Sequence, residues 1–564
     1  MKKNIILFVV GVALSLNACK VSSQSKKTPQ QEKNIEQKVD SVLALMTLEE
    51  KIGQMIQYNG SWDVTGPATG TTNEKKLQRL KNGLVGSMLN VVSVESTREA
   101  QRLTMENSRL KIPLIFGYDV IHGYKTMFPV PLGETASWDM ILAEKTAAAA
   151  ARETAASGVH WTFAPMMDIS RDARWGRIME GAGEDPFLNA EIAVARVKGF
   201  QGSDLASEKT IAACAKHFAG YGFAEAGRDY NTVNIGVHEL HNTILPPFKA
   251  VAKAGVATFM NSFNEIDGVP ATSSSYLQRE LLKDGWDWDG FIVSDWGSIS
   301  EMIPHGIARN KKEAALLAIK GGSDMDMEGG AYESSLESLV EEGKISETLL
   351  DDSVRRILRV KFQLGLFDDP YKYCDESFEE TELYSEENQD LALEAAKKSI
   401  VLLKNENEIL PIKNSVKSIA VIGPLADDKD SPLGNWRAQA EANSAVSVLE
   451  GIKTHAAKNV QINYAEGVKL STGERSFLKP LSLNNTDKSG FEQAINLAKS
   501  SDLVVLVVGE DAYQTGEGRS QTDIGFLGLQ DELMAEIKKV NPNVVMVLMN
   551  GRPMDLTWSN ENFP

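Results

Sequence analysis

Charged and aromatic side chains follow several short apolar segments of this chain, and their types are those that bind or transform ligands. Such segments end at Asp119, at Lys216 and His217, and at Asp295 and Trp296. Carboxylates and cations form charge-assisted hydrogen bonds with hydroxyl groups, and aromatic faces pack against the apolar face of a sugar ring. If the fold gathers these side chains in one place, they predict a site for a neutral, polyhydroxylated ligand.

The elements that must position these residues follow from the alternation of short apolar segments with helical stretches between residues 39 and 366. Predicted helices include residues 140–157 and 238–254. The repeating order of strand, polar loop and helix is typical of a parallel sheet covered on both faces. Roughly seven or eight such units fit a (β/α)8 barrel better than an open sheet, and barrels carry functional residues at the carboxyl ends of their strands. The predicted strands are residues 85–90, 113–119, 159–167, 213–219, 256–261, 290–294 and 323–327.

A second domain is predicted after a change in composition. Residues 368–388 are acidic and lack a helical period, so we expect a linker there. A helix at residues 389–399 and apolar strands at 418–422, 503–508 and 543–549 then predict an α/β sandwich domain. The chain ends soon after the last predicted strand. We therefore expect residues 389–564 to form an incomplete domain whose sheet leaves one edge unpaired.

Composition excludes several classes of function. The 564 residues include 59 Lys and Arg against 77 Asp and Glu, a net charge of −18, which argues against a nucleic-acid partner. Cys19, Cys214 and Cys374 lie far apart in the sequence, which excludes zinc ribbons, redox dithiols and iron–sulfur clusters. Residues 324–328 resemble a calcium loop superficially, but their alternation fits the end of a strand. No metal is predicted.

The first residues predict export. Two lysines precede an apolar run at residues 5–16, which is too short to span a bilayer and is typical of a secretory signal peptide over residues 1–18. The sequence LNAC resembles a bacterial lipobox, in which Cys19 is lipidated; a plain signal peptide is the alternative, and a transmembrane anchor is less favoured. Residues 19–38 are polar and predict a disordered tether. These features predict a periplasmic protein whose contact with the membrane is a lipid anchor.

Three long motifs, WGRIMEGAGED, KHFAGYG and IVSDWG, occur in this order and spacing. Together they resemble glycoside hydrolase family 3, of the bacterial periplasmic β-glucosidase type; GYDVIHGYKTMFPVPLG and VKFQLGLFDDPY support the match. The resemblance implies a (β/α)8 barrel followed by an α/β sandwich, with the active site between them. Family members of this type continue further, so this chain is expected to be truncated at its C-terminus relative to the family.

The resemblance implies hydrolysis by double displacement with retention, using two carboxyl groups about 5 to 5.5 Å apart. By its position in SDWG, Asp295 is expected to be the nucleophile. Glu517 in TGEGR is expected to be the acid/base, because a glycine-flanked loop can bring a carboxyl group to the glycosidic oxygen. Glu510 is the alternative acid/base, although an architectural role is favoured for it.

The resemblance also implies residues that bind the sugar. Asp119 is expected to hold the hydroxyls farthest from the scissile bond, and Arg228 to help keep Asp295 ionised. Phe263 stands where the family often has Tyr. Trp436 is either a far wall of the sugar site or an interdomain packing residue. The expected sugar-binding residues are Asp119, Arg177, Lys216, His217, Arg228, Met260 and Trp296.

The implied activity is that of an exo-acting β-glucosidase that removes terminal β-D-glucosyl residues from β-gluco-oligosaccharides without a cofactor. β-Xylosidase or a bifunctional glucosidase/xylosidase is the alternative within the class. A non-catalytic oligosaccharide-binding lipoprotein is the alternative from another class, but both catalytic candidates are present. N-Acetylglucosaminidase activity is disfavoured because the Asp-Ser-His loop of that branch is missing. The oligomeric state is left open, with a homodimer as one option.

Overall fold

A computed structural model describes residues 29–60 and 73–564 of the chain. The predicted signal peptide and Cys19 lie outside the described residues. Within them, the first domain contains ten strands: β1 (Ile56–Asn59), β2 (Ser87–Leu89), β3 (Ile115–Tyr118), β4 (Trp161–Thr162), β5 (Cys214–Phe218), β6 (Thr258–Asn261), β7 (Glu265–Ile266), β8 (Val269–Pro270), β9 (Phe291–Val293) and β10 (Asp326–Met327).

The first domain is a closed parallel barrel. One sheet has the order β10-β1-β2-β3-β4 and another the order β5-β6-β9. Parallel bridges Trp161–Ala212 and Met166–Lys216 join β4 to β5, and Val293–Met325 joins β9 to β10, which closes the ring. Strands β7 and β8 form an antiparallel hairpin outside the barrel. The carboxyl ends of the barrel strands therefore converge on one face.

Helices cover the outside of this barrel. The long helices α6 and α7 pack closely because Gly199 on α7 faces α6, where a Cβ atom would lie 2.3 Å from the carbonyl oxygen of Glu144. Two π-helical segments, Leu240–Ile244 and Tyr276–Gly285, belong to the same layer. The described helices are α1 (Pro29–Leu43), α2 (Leu48–Gln54), α3 (Asn73–Lys81), α4 (Val94–Asn107), α5 (Pro131–Thr135), α6 (Met140–Ala156), α7 (Pro186–Gln201), α8 (Val237–Glu239), α9 (Leu245–Lys253), α10 (Ser298–Glu301), α11 (Lys311–Gly321), α12 (Ala331–Glu341) and α13 (Glu347–Gln363).

Aromatic side chains fill the barrel interior. The ring of Trp161 meets Phe163 and Phe291 edge-on, at centroid distances of 4.8 and 5.1 Å. Its indole N–H donates to Thr258 Oγ1 at 2.8 Å, so the polar atom of this buried residue is satisfied. This packing fixes the strands whose ends carry the functional residues.

The second domain is a parallel sheet of order β12-β11-β13-β14. Side chains of β13 alternate between two apolar clusters: Val504, Leu506 and Val508 face one, and Val505 and Val507 the other. Both faces are therefore covered, as in an α/β layered domain. Among the described residues, β14 is an edge strand of this sheet. Helices α14 (Glu376–Glu382) and α15 (Glu386–Ser399) precede this sheet and pack on α5 and α6 of the barrel. The elements that follow are β11 (Ser418–Ile422), α16 (Val448–His455), β12 (Gln461–Ala465), α17 (Phe491–Ser500), β13 (Leu503–Gly509), α18 (Gln530–Val540), β14 (Val544–Met549) and α19 (Thr557–Asn562).

Two predictions about irregular segments are wrong in part. The predicted disordered tether ends in helix, because α1 begins at Pro29. This helix docks on α13, where Glu36 pairs with Arg359 at 2.5 Å and Val39 is fully buried. The predicted linker contains helix α14, which begins because the Asp375 carboxylate accepts hydrogen bonds from the first backbone N–H groups.

Every helix in the described part of the chain is too short or too polar to cross a bilayer.

Candidate active site

Asp295 lies directly after β9, at the carboxyl face of the barrel. Its Oδ1 accepts a hydrogen bond from the backbone N–H of Trp296 at 2.6 Å. Its Oδ2 is buried, has no hydrogen-bond partner within the described chain, and lies 3.4 Å from His217 Nε2. One oxygen of the predicted nucleophile is thus held by a backbone hydrogen bond, while the other has no donor among the described residues.

The environment of Asp295 sets its ionisation. Burial raises the pKa of this carboxyl to about 7, although the charges of Arg177 and Lys216 act to lower it. Glu517 adds to the rise, so its negative charge is also felt at this site. Ionised Asp295 therefore depends on the two cations, since burial alone favours the neutral acid.

Arg177 is the buried cation that connects the carboxylates of the site. It forms a bidentate pair with Glu180, with Nε–Oε1 and Nη2–Oε2 distances of 2.8 and 3.0 Å. Its Nη1 lies 3.4 Å from Glu517 Oε1, and its Nη2 lies 3.3 Å from His217 Nε2. The fixed fork of the guanidinium holds these groups at set positions.

His217 is oriented by Asp168. The imidazole Nδ1 lies 2.8 Å from Asp168 Oδ2, and the His217 backbone N–H donates to the same oxygen at 3.0 Å. Because Arg177 can only donate, its contact with Nε2 assigns the ring proton to Nδ1. Burial and the neighbouring cations hold the pKa of His217 well below its usual value. The ring is therefore a neutral, oriented group rather than a proton donor.

Lys216 pairs with Asp119 across the ends of β5 and β3. The Nζ–Oδ1 distance is 2.8 Å. Burial acts to lower the pKa of Lys216, but Asp119 and the other carboxylates of the site raise it above its usual value. The ammonium also lies 5.5 Å from the centroid of the Trp436 ring. These paired charges offer both donors and acceptors to hydroxyl groups.

Glu517 comes from the second domain. Its Oε1 accepts a hydrogen bond from the hydroxyl of Tyr230, and its side chain is 26% exposed. The loop bearing it is seated on the barrel: the N–H of Gly516 donates to Gly176 O at 2.8 Å, and the N–H of Gly518 donates to Asp229 at 2.6 Å. Contacts of the loop N–H groups with the Gly176 carbonyl and the Asp229 carboxylate thus bring the Glu517 carboxyl to Arg177.

Glycine is required in this loop. Gly516 has a φ of +91°, and a Cβ there would lie 2.3 Å from the side chain of Asn435. The Asn435 amide in turn donates to Thr515 O at 2.6 Å. The loop therefore passes too close to Asn435 for a side chain at Gly516, whereas Gly518 lies in open space and is favoured there by its φ of +70°.

Glu510 is buried behind the loop. Its Oε1 lies 2.7 Å from Arg552 Nε, and burial raises the pKa of this carboxyl. Arg552 also donates to the carbonyl oxygens of Gln514, Arg519 and Arg174 at 2.7, 2.8 and 3.0 Å. The pair supports the loop that bears Glu517, in keeping with an architectural role for Glu510.

Two tryptophans from different domains lie at the cluster. Trp296 and Trp436 are half-buried, and the indole N–H of each has no acceptor among the described residues. The Trp436 ring centroid is 5.8 Å from the Arg177 guanidinium, so this second-domain aromatic reaches the barrel cations. Both indoles can offer a donor and an apolar face to a ligand.

The structure does not gather every expected residue. Arg228 is exposed and forms no ion pair in the described chain; its neighbour Asp229 is buried instead and accepts from Trp175 Nε1 at 2.7 Å. The cations that act on Asp295 are Arg177 and Lys216. Met260 is 2% exposed within the barrel core, so its contact with a ligand stays a prediction.

Several residues of the site escaped the sequence reasoning. Glu180 follows Arg177 by three residues, a spacing that could have suggested the pair. Tyr230 gave no signal, since only the fold brings it to Glu517, where Phe263 packs against its ring at 4.8 Å. Glu301 on α10 has a buried, unpartnered Oε2, and burial together with Glu517 raises its pKa to about 7.

The acidic segment 324–328 serves the fold. Asp324 pairs with Lys283 at 2.7 Å, and Asp326 accepts backbone N–H bonds from Ala331 and Tyr332 at 2.8 and 3.0 Å. In the ranges 29–60 and 73–564, no group of three His, Cys, Asp or Glu side chains is placed to hold a metal ion.

Comparison with known proteins matches both domains. Residues 47–360 match the glycosyl hydrolase family 3 N-terminal domain, and residues 400–564 match the C-terminal domain of the same family. A periplasmic beta-glucosidase of Salmonella typhimurium is 38% identical over 93% of this chain and 69% of its own length. A beta-xylosidase of Formosa agariphila is 33% identical over 99% of this chain and 73% of its own length.

Solved structures agree with the fold prediction. A beta-glucosidase from Listeria innocua, in complex with isofagomine, superposes with a TM-score of 0.85 at 37% identity, covering 93% of this chain and 71% of that one. A β-glucosidase from Erythrobacter marinus gives a TM-score of 0.85 at 30% identity, covering 94% and 73%. The predicted barrel followed by an α/β sandwich domain is confirmed.

Proposed function

The chain belongs to glycosyl hydrolase family 3, and from this membership we propose that it is a retaining, exo-acting β-glucosidase. One arrangement carries the proposal: Asp295 of the barrel and Glu517 of the second domain both lie near Arg177, and one oxygen of Asp295 has no hydrogen-bond donor in the described chain. The relatives named beta-glucosidase support the choice of sugar. The substrates proposed are β-gluco-oligosaccharides with a terminal glucosyl residue.

In the first step, Oδ2 of Asp295 attacks the anomeric carbon as the bond to the leaving oxygen breaks, and Glu517 gives its proton to that oxygen. The result is a glycosyl ester on Asp295. In the second step, Glu517 takes a proton from water, which attacks the same carbon and releases the sugar with Asp295 as a carboxylate. The backbone N–H of Trp296 donates to Asp295 Oδ1 in both steps, which keeps Oδ2 directed at the anomeric carbon.

Recognition of the sugar is assigned to the ion pairs of the barrel. Asp119 and Lys216 present an acceptor and a donor within one ion pair, which suits two adjacent hydroxyls. Arg177 and neutral His217 lie between this pair and the catalytic carboxyls. We propose exo action because these paired charges match the hydroxyl groups of one terminal sugar residue better than those of a residue inside a long chain.

Trapping of the nucleophile tests the proposal. A 2-deoxy-2-fluoro-β-glucosyl fluoride should inactivate the enzyme by forming a stable ester, because the fluorine slows hydrolysis of the intermediate. Peptide mass spectrometry should find the label on Asp295. A label on another residue, or release of α-glucose from a β-glucoside, would contradict the proposed mechanism.

β-Xylosidase activity is the second candidate, supported by the Formosa agariphila relatives named beta-xylosidase and putative beta-xylosidase. The two sugars differ in the hydroxymethyl group on the pyranose ring. Comparing kcat/KM for aryl β-glucoside and aryl β-xyloside separates the candidates. A ratio above about tenfold in favour of glucose would assign the enzyme as a glucosidase, since that is about 1.4 kcal/mol of transition-state binding.

We propose further that the protein is periplasmic and lipid-anchored through Cys19, after removal of residues 1–18. The Salmonella typhimurium relative, which is named periplasmic, supports the compartment. The LNAC sequence supports the anchor. Mass spectrometry of the mature N-terminus tests it: a diacylglyceryl-modified Cys19 is expected, and an unmodified residue would contradict the proposal.

The proposed domain division is a barrel at residues 39–367, a linker at 368–388 and a second domain at 389–564. Helix α1 extends the barrel unit to Pro29, because it packs on α13. Limited proteolysis should cut first within 368–388, and initial cleavage inside β13 or α13 would contradict this division.

A further inference from the structure

An open cavity of about 450 Å³ lies in the second domain, at the carboxyl edge of its sheet. The chain runs from β11 outward to β12 and then crosses back to β13 on the other side of β11. Open α/β sheets bind ligands at such a reversal point, outside the carboxyl ends of the strands. The lining residues are Pro424, Asp427, Asp428, Lys429, Asn443, Tyr464, Glu466, Lys469, Leu470, Ser471, Arg475 and Asp511.

The cavity contains a buried carboxylate oxygen that lacks a donor. Asp511 follows β13 directly and is 1% exposed. Its Oδ1 accepts a hydrogen bond from the backbone N–H of Tyr513 at 3.0 Å. Its Oδ2 has no hydrogen-bond partner in the described chain, and the nearest cation, Arg475, is 3.8 Å away. A buried polar atom of this kind is costly unless something donates to it, so Asp511 points to a ligand.

The lining indicates which donor is missing. Arg475 is already engaged by Asp428 at 2.6 Å, so it does not neutralise Asp511 fully. Lysines and carboxylates both face the cavity, and Tyr464 contributes an aromatic ring. No group of three metal-ligating side chains is placed for a cation in the part of the chain described. Paired donors and acceptors beside an aromatic ring suit the hydroxyl groups of a neutral sugar.

We propose that this cavity is a second saccharide-binding site, separate from the catalytic cleft. Its volume suits a mono- or disaccharide. A sugar hydroxyl donates to Asp511 Oδ2, and the exposed ends of Glu466 and Lys469 contact hydroxyls at the rim.

The site is connected to the loops of the cleft. Tyr513, which Asp511 caps, donates its hydroxyl to Asp430 at 2.7 Å and accepts from Arg437 at 2.9 Å. Arg437 is adjacent to Trp436, and Tyr513 lies in the loop that continues to Glu517. A sugar bound at Asp511 therefore stabilises the loop geometry that serves the acid/base. Because such coupling is reciprocal, a ligand in the cleft strengthens binding in this cavity.

Calorimetry with the full chain tests this proposal without relying on hydrolysis. The Asp295→Asn variant is titrated with cellobiose and with glucose, and two sugars per chain are expected. Adding Asp511→Asn keeps an oxygen for the Tyr513 N–H but replaces the free carboxylate oxygen by an amide, and should weaken only one site, by about tenfold or more. Lys469→Ala, on an exposed rim residue that cannot unfold the domain, should weaken the same site about threefold. Lys453→Ala, on the exposed face of α16, is the matched control and should leave both sites unchanged.

Several results would overturn the proposal. One sugar per chain, or a second site insensitive to both Asp511→Asn and Lys469→Ala, would show that the cavity does not bind saccharides. Calcium binding that Asp511→Asn abolishes and that excludes the sugar would identify a cation site instead. Failure of the catalytic assignment would appear as loss of trapping at Asp295 and would leave the titration with glucose unaffected, because glucose has no glycosidic bond to hydrolyse.

Discussion

The two halves of the active site are built differently. On the barrel side, each buried cation has a carboxylate partner: Arg177 has Glu180, and Lys216 has Asp119. On the second-domain side, Glu517 is a quarter exposed and lies on a glycine loop whose N–H groups donate to the Gly176 carbonyl and to the Asp229 side chain of the barrel. The comparison teaches that the nucleophile and the sugar-binding cations belong to the barrel half of the site, whereas the proton donor belongs to the second-domain half and is positioned by contacts across the domain boundary.

The largest expected effect comes from the barrel half of the site, which contains Asp295. Asp295→Asn removes the attacking oxygen and should lower kcat on aryl β-glucosides by roughly 10⁴-fold or more. Asp289→Asn is the matched control, because it lies before β9 at the opposite end of the same strand and its side chain is 76% exposed. Near-normal activity of Asp295→Asn would remove the assigned nucleophile from the comparison.

Variants of the second-domain half, which contains Glu517, should lose activity to an extent that depends on the leaving group of the substrate. Glu517→Ala should lower kcat roughly 10²- to 10⁴-fold on poor leaving groups and far less on activated aryl glucosides, since these need no proton. Azide should restore turnover by forming a β-glucosyl azide. Glu510→Gln, the control, should lower the melting temperature without azide rescue, because it breaks the pair with Arg552. Rescue of a Glu510 variant instead would reverse the assignment.

The pH profile of kcat/KM should report the ionisation of Asp295 in the barrel half of the site. Burial raises the pKa of Asp295 to about 7, so its ionised, nucleophilic form is lost as the pH falls below that value. Activity should then fall about tenfold for each pH unit on the acid side. Lys216→Met removes a charge that favours ionisation and should move this limb to higher pH, whereas Asp289→Asn should not. An acid limb that stays in place would show that Lys216 acts only on the sugar.

The smallest expected effect concerns the support of Glu517. Tyr230→Phe removes the hydroxyl that donates to its Oε1 and should lower kcat about three- to tenfold, with KM nearly unchanged. Tyr384→Phe, at an exposed position away from the cleft, is the control. A change in KM alone would mean that Tyr230 contacts the substrate rather than positioning the proton donor.

Much of the fold could be predicted because most strands are apolar runs between turn signals. Strand β1 escaped because its sequence, IQYN, is polar in a fully buried position, where Gln57 donates to Ser87 at 2.8 Å. Strand β12 escaped because it lies at an edge of the sheet, where most of its residues are only half-buried and its sequence QINYA is not a continuous apolar run. Hydrophobic pattern indicates burial, so a buried polar strand and an exposed edge strand both evade it.

The candidate site divides along the same line as the two halves. Asp119, Lys216, His217 and Asp295 could be predicted because parallel strands bring their carboxyl ends together. Tyr230 could not, since its contact with Glu517 joins residues of different domains. The family resemblance implied Arg228, but its side chain is exposed in this fold. Loop residues far apart in the chain give no periodic signal.

Arg552 has a consequence for how activity arises during synthesis. This buried side chain donates to Gln514 and Arg519 in the second-domain loop and to Ala173 and Arg174 in the barrel. The ribosome makes the barrel first, with its nucleophile and sugar-binding pairs already present. The proton donor is fixed only after residue 552 has emerged and reached back some 380 positions to close the seam. The barrel thus contains only one member of the catalytic pair, and the other is held in place by a residue near the far end of the described chain.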